Sequence, residues 1–204
     1  MYRLIKQLNK FNGNICFAGE TNYGGIVFEC DRDSKTIDYD TSTKNISDIC
    51  LEDGTSYLVA FSDSYIGQYS GGSLDETYVD TGINSVDKIV NDYQGNVYIL
   101  SKTNNQLIKY NSSIIWTISL PDYDLRQYSQ ILFRESDGFI IYYNNTNIHV
   151  IRDDVSRAVI LNSLSVSGNG YIKSVIGSEF IPSYTYARVR QVMGGELGQS
   201  SSSS

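Results

Sequence analysis

Apolar residues in this chain come in short runs, and each run is bounded by polar residues that favour turns. The clearest stretch is Ile89 to Leu120, IVNDYQGNVYILSKTNNQLIKYNSSIIWTISL. Val97 to Leu100 (VYIL) follows the turn signal Gln94-Gly95-Asn96. Lys102 to Asn105 is a second turn and leads into Leu107 to Tyr110 (LIKY). Asn111-Ser112-Ser113 then leads into Ile114 to Leu120 (IIWTISL). Short runs rich in β-branched and aromatic residues, separated by Asn, Gly and Ser, predict strands joined by hairpins. A preceding strand fits Val86 to Val90.

The same plan recurs along the chain. Ile49-Cys50-Leu51 leads through Glu52-Asp53-Gly54 to Tyr57–Phe61 (YLVAF), then Tyr65–Tyr69 and Thr77–Val79. Ile131-Leu132-Phe133 leads through residues 135–138 to Phe139–Tyr143 (FIIYY), then Ile148–Ile151 and Ala158–Leu161. The anchors Ile49, Ile89 and Ile131 stand 40 and 42 residues apart. A further copy is expected at Tyr171–Ile176, and a looser one starts at Ile15-Cys16-Phe17, with Ile26-Val27-Phe28 after Gly24-Gly25.

A repeat of roughly 40 residues with four short strands resembles the blades of a β-propeller. The Gly-Asn-Val-Tyr-Ile pattern after a polar turn is similar to generic blades of the NHL or PQQ-repeat type. No Trp-Asp dipeptide closes the units, so the WD40 pattern is absent. The resemblance implies an all-β fold: about five four-stranded antiparallel blades, stacked so that each covers its neighbour's face. It explains why the second strand of each unit is apolar without alternation. An irregular β-sandwich with the same spacing is the alternative. Five blades could close a ring, or form an open arc completed by a partner subunit.

The expected organisation is an N-terminal strand or arm over 1–13, a propeller-like body over 14–193 and a flexible Gly/Ser tail over 194–204. Leu4 to Leu8 is expected to be a strand that completes the C-terminal blade. Tyr184 to Val192 alternates, with Tyr184, Tyr186, Arg188 and Arg190 on one face, a composition enriched at protein interfaces. These four residues form the candidate interaction face. A solvated edge strand is the competing reading.

Charge and composition narrow the function. Sixteen basic residues against 23 acidic ones give a net charge of −7, which argues against a nucleic-acid surface. No apolar stretch reaches membrane-spanning length. The N-terminus lacks a signal core, so a virion or the cytoplasm is the expected location. Cys16, Cys30 and Cys50 are too few and too widely spaced for a disulfide scaffold or a zinc site, and no cofactor is expected.

Candidate chemistry is sparse. His149 is the one histidine and is expected on the polar face of a strand. Asp31-Arg32-Asp33-Ser34-Lys35 resembles the start of a Ca²⁺ loop but lacks its glycine and distal glutamate, so it is read as a hairpin turn. Asp153-Asp154 and Asp122-x-Asp124 also fall in turns. Seventeen tyrosines suggest a carbohydrate platform, although Tyr57, Tyr69, Tyr98, Tyr110 and Tyr142 fall in strands where packing accounts for them. The expectation is a non-enzymatic structural or protein-interaction protein that contacts other proteins or further copies of itself. Its Asn/Tyr/Ile-rich style resembles tailed-phage virion components, in particular tail proteins. A glycan- or receptor-binding module is the alternative, and a polysaccharide-acting enzyme is a third.

Overall fold

The computed structural model describes residues 3–9, 13–101, 103–120, 130–134, 138–144, 146–154, 156–165, 171–176 and 188–192. They form antiparallel four-stranded blades of the propeller type, as the repeat predicts. The chain divides into two units, Met1–Pro121 and Asp122–Ser204.

The first unit holds three blades. Blade 1 has the order β1 (Arg3–Asn9), β2 (Ile15–Thr21), β3 (Gly24–Cys30), β4 (Ile37–Thr41). Blade 2 runs β5 (Ile46–Leu51), β6 (Tyr57–Phe61), β7 (Tyr65–Ser70), β8 (Ser73–Asp80). Blade 3 runs β9 (Lys88–Asn91), β10 (Val97–Ser101), β11 (Gln106–Tyr110), β12 (Ile114–Ser119). The second unit holds blade 4, with β13 (Gln130–Arg134), β14 (Phe139–Tyr143), β15 (Asn147–Asp153) and β16 (Ala158–Ser165). It also holds a two-stranded sheet of β17 (Tyr171–Ile176) and β18 (Arg188–Val192).

Turn chemistry sets these hairpins. Gly71 and Gly72 both take positive φ, 57° and 82°, and close β7 onto β8 in two residues. Elsewhere a carboxylate or amide folds the turn over itself. Asp53 Oδ1 accepts from the Thr55 and Ser56 amides at 2.6 and 2.8 Å. Asp92 Oδ1 accepts from those of Gln94 and Asn96 at 2.9 and 3.1 Å. Asn144 Oδ1 accepts from Thr146 and Asn147 at 2.9 and 2.8 Å. The many Asp and Asn residues at these turns thus satisfy backbone amides.

The fourth strand of each blade is its most exposed. In blade 2, β5 is buried at every residue except Ser47, β6 is buried throughout, and β8 is mostly exposed. The β6 side chains divide by alternation. Tyr57, Val59 and Phe61 join a core with Cys16, Ala18 and Val27 of blade 1. Leu58 and Ala60 join a core with Ile89, Ile99 and Ile108 of blade 3. Each large aliphatic side chain buried this way contributes about 1.5–3 kcal/mol. A blade covered on both faces therefore needs an unbroken apolar strand, which is what YLVAF supplies.

The first strands are also tied by charge. Asp48 on β5 is 2% exposed; its Oδ2 accepts from the Ile89 amide of β9 at 3.0 Å, and Lys6 Nζ of β1 lies 3.3 Å from its Oδ1. The latter contact is an ion pair rather than an aligned hydrogen bond. Lys6 faces Ala18 and Asp48 faces Ala60 across their hairpins, the same register position in each blade, and each follows a β-bulge.

Three sequence expectations are corrected. Ile15-Cys16-Phe17 belongs to the second strand of blade 1, not the first. The first strand is β1, which pairs with β2 rather than with a C-terminal strand. The Asn9–Ile15 connection has the same length as Leu51–Tyr57 and Asn91–Val97, and closing so short a loop costs little entropy. The anchor Ile131 is one register step out: Ile49 pairs with Val59 and Ile89 with Ile99, but it is Leu132 that meets the corresponding Ile141. The β13–β14 connection is one residue shorter, which produces the slip.

Candidate functional site

A cleft of about 280 Å³ opens between blades 2 and 3 of the first unit. It lies where the chain leaves the first strand of each blade. The β5–β6 turn contributes Glu52, and the end of β9 with its following turn contributes Asn91, Tyr93 and Gly95. Tyr78 and Val79 come from β8; Tyr110, Asn111 and Ser112 come from the end of β11 and the next turn. Leu58, Ile66 and Val97 complete the apolar lining.

A bulge in the outer strand brings Tyr78 to this cleft. β8 takes four steps from Asp75 to Val79 while β7 takes two, from Gln68 back to Ile66. Gly67 sits beneath the bulge, where a Cβ would meet the Asp75 carbonyl at 2.6 Å and the Phe61 ring at 2.8 Å. The displaced Tyr78 is 44% exposed, and its Oη donates to Glu52 Oε1 at 3.3 Å. Partial burial, and then the adjacent Glu52 charge, raise the Tyr78 phenol above the ordinary tyrosine range.

Glu52 is the polar centre of the cleft. Its Oε2 accepts from Ser56 Oγ at 2.8 Å and from Gln68 Nε2 at 2.6 Å. Its backbone carbonyl accepts from Asn91 Nδ2 at 2.9 Å, which joins the two blades. On the blade 3 side, Tyr93 holds a φ of 56°, a left-handed conformation uncommon outside glycine, in the turn folded by Asp92. Tyr110 Oη donates to the Asp80 carbonyl at 3.4 Å, and Asn111 Nδ2 donates to Asn96 Oδ1 at 3.3 Å. Aromatic rings, amides and one carboxylate thus converge on an apolar floor. Among the described residues the lining contains no lysine, arginine, histidine or cysteine.

The residues singled out from sequence lie elsewhere. Tyr184 and Tyr186 fall outside the described residues; Arg188 and Arg190 are on β18, opposite Ile176 and Ser174. His149 is 3% exposed on β15 rather than on a solvated face, because Tyr142 and Ser163 flank it in the sheet. Its Nδ1 lies 2.6 Å from Ser163 Oγ, and its ring stacks on Tyr142 with centroids 5.7 Å apart. Asp31 closes the β3–β4 turn, accepting from the Ser34 amide at 2.7 Å, from Ser34 Oγ at 2.8 Å and from the Asp33 amide at 3.0 Å. Those bonds, led by the Ser34 amide, lower its pKa to about 2.

Asp154 pairs with Arg152 and Arg157, and Asp122 and Asp124 lie outside the described residues. No metal-holding cluster occurs among the described residues, and the three cysteines are unbridged. No helix among them is long and apolar enough to cross a membrane.

Sequence reasoning did not find the cleft. Its residues come from separate strands and turns of two blades; the sequence marks Glu52, Gly95, Asn111 and Ser112 only as turn positions and Tyr110 only as a packed strand residue.

No protein-family model matches the chain, and no curated protein matches it in sequence. Solved structures do match in shape. Virginiamycin B lyase from Staphylococcus aureus superposes with a TM-score of 0.60 at 12% identity, over 78% of this chain and 55% of the lyase. The fold is that of a β-propeller. A chain of the nidogen–laminin complex superposes with a TM-score of 0.61 at 12% identity, over 86% of this chain and 69% of that one. A chain of the complex of BBS1N with ARL6DN gives 0.56 at 11% identity, over 86% and 56%. The protein spans about half the length of the lyase chain. At these identities the likeness shows the fold alone.

Proposed function

We propose that this chain is a non-enzymatic β-propeller module that works by binding other proteins. In its finer form, it is a tail or tail-associated component of a phage virion. The observation that carries the reading is the cleft between blades 2 and 3, where Tyr78, Tyr93 and Tyr110 surround an apolar floor. Tyr78 is exposed and Tyr93 half-buried, and tyrosine on a rigid sheet scaffold offers contact area at low entropic cost, as interfaces require. The virion setting rests on the style of the sequence: a small chain, rich in Asn, Tyr and Ile, built from repeated blades. A virion or the cytoplasm is the location that goes with it.

The test combines light scattering with a polysaccharide assay. The wild type is expected to self-associate as concentration rises, and the double variant Tyr78→Ala/Tyr93→Ala to dissociate. Polysaccharide chain length should stay unchanged on incubation with either protein. Shortening of the polysaccharide would overturn the non-enzymatic reading.

The alternative is a glycan- or receptor-binding module. The amides of Asn91 and Asn111 beside the tyrosine rings favour it, since rings stack on sugar faces and amides bond sugar hydroxyls. A rise in thermal midpoint with neutral oligosaccharides would separate it from the first reading.

A further inference from the structure

We propose that the cleft between blades 2 and 3 receives a cationic side chain, in particular an arginine guanidinium, presented by a partner polypeptide. This rests on the protein-binding reading above and names the group that the site recognises.

An acceptor with unused capacity stands at the centre of the cleft. An ionised carboxylate offers about four acceptor positions. Glu52 uses two on Oε2, for Ser56 and Gln68, and one on Oε1 for a long bond from Tyr78. Oε1 therefore keeps capacity on the cleft side, beside Tyr78, which also lines the cleft. A guanidinium is a fork of donors that suits a carboxylate edge, and such charge-assisted bonds are stronger than those to a neutral hydroxyl.

The lining is aromatic as well as acidic. Tyr78, Tyr93 and Tyr110 all border the cleft, and tyrosine rings are of the kind that attract cations. With no lysine or arginine among the lining residues, the carboxylate is not neutralised from within the cleft. An anionic ligand would meet Glu52 with no compensating charge. The neighbouring turns add Asp53 and Asp92, of the same sign.

The protein already builds such a site for a cation of its own. Just before β5, Lys44 Nζ lies 3.9 Å from the centroid of the Tyr65 ring, 5.2 Å from that of Phe61 and 3.2 Å from Asp63 Oδ2. A carboxylate and two aromatic rings thus hold an ammonium at one end of β5. Just after β5, Glu52 and the three tyrosines supply the same chemistry without an internal cation.

The test is a titration of ¹⁵N-labelled protein with a hexa-arginine peptide, and in parallel with neutral cello-oligosaccharide. The peptide is expected to shift the backbone signals of Gly95 and Ser112 and the side-chain amides of Asn91 and Asn111. Glu52→Gln keeps the shape of the side chain and should weaken the peptide about tenfold, the effect of losing one charge-assisted bond. Tyr93→Ala serves as a second variant from the opposite wall and should also weaken it. Equal peptide affinity in wild type and Glu52→Gln would overturn the cation assignment. Shifts with the oligosaccharide but not the peptide would also overturn it, while leaving the cleft as a binding site. No shift with either probe would overturn the assignment and the binding role of the cleft together.

Discussion

The two ends of β5 meet their neighbours differently. At its start Lys44 crosses towards Tyr65, Phe61 and Asp63, and its ammonium also reaches the Glu76 carbonyl at 3.4 Å. At its end Glu52 faces a cleft between blades 2 and 3. The outer strands show the same contrast. Tyr69 Oη donates to the Asp38 carbonyl of β4 at 2.9 Å, and the Leu74 amide donates to Asp40 Oδ2 at 2.9 Å, drawing blades 1 and 2 together. Tyr110, in the register position of Tyr69, reaches the Asp80 carbonyl only at 3.4 Å. Repeated blades stacked on a common plan leave similar grooves, and local side chains decide whether a groove is filled. The site at the start of β5 holds a cation of the chain's own; the cleft lining at its end includes none.

The largest effects should come from the cores beneath both junctions and test whether the contrast is confined to the surface. Ile49→Ala removes side chain from the core between blades 1 and 2, and Ile99→Ala from that between blades 2 and 3. Each should cost about 2–5 kcal/mol in urea unfolding, because both sites are fully buried. A much smaller loss at Ile99 would mean that the openness of the cleft extends into the core.

Next comes Asp48→Ala, which cuts the link between β1, β5 and β9. It leaves the Ile89 amide without its acceptor and removes the Lys6–Asp48 contact, at a cost of about 3 kcal/mol. Asp48→Asn keeps the acceptor and should recover part of the loss; a variant no better than alanine would assign the effect to the ion pair.

Lys44→Met sharpens the comparison directly. It keeps the apolar stem and removes the charge from the site at the start of β5, so the loss should be about 1 kcal/mol by thermal unfolding. Binding at the Glu52 cleft should not change. A change there would show that the two ends of β5 are coupled.

The smallest expected effect is acidic. The folded pKa of Asp31 is about 2, below its ordinary value of 3.8. Its contribution to stability is therefore fully present above the ordinary value and is lost as pH falls through about 2. An NMR titration of the Asp31 carboxyl should show a midpoint near there in the wild type. In Ser34→Ala, which keeps the leading amide bond but removes the hydroxyl, the midpoint should move part of the way back; an unmoved midpoint would leave no role for the hydroxyl.

Much of the blade plan was legible because burial on both faces demands it. Tyr57–Phe61 and Val97–Leu100 have to be apolar throughout, and the turns between them have to carry Asp, Asn or Gly. β1 is inconspicuous because Arg3, Lys6 and Gln7 interrupt its apolar residues, and the first unbroken apolar run is Ile15 to Ala18, which is the second strand. His149 is polar by type, yet its sheet neighbours cover it. The cleft could not be read from the chain because it depends on the β8 bulge that displaces Tyr78, and on two blades meeting around Glu52. Neither is a property of any single segment.

The account's central claim is that the Glu52 junction lacks the internal cation that Lys44 supplies at the other end of β5. Gln68 already touches Glu52 Oε2 at 2.6 Å, so Gln68→Lys would set an ammonium against the carboxylate and neutralise its charge from the side away from the proposed guanidinium. Calorimetric titration of the hexa-arginine peptide into wild type and Gln68→Lys is the most direct measurement. The account predicts binding to the wild type, and about tenfold weaker binding to a variant that remains folded and is no less stable. Equal binding to both proteins would contradict it.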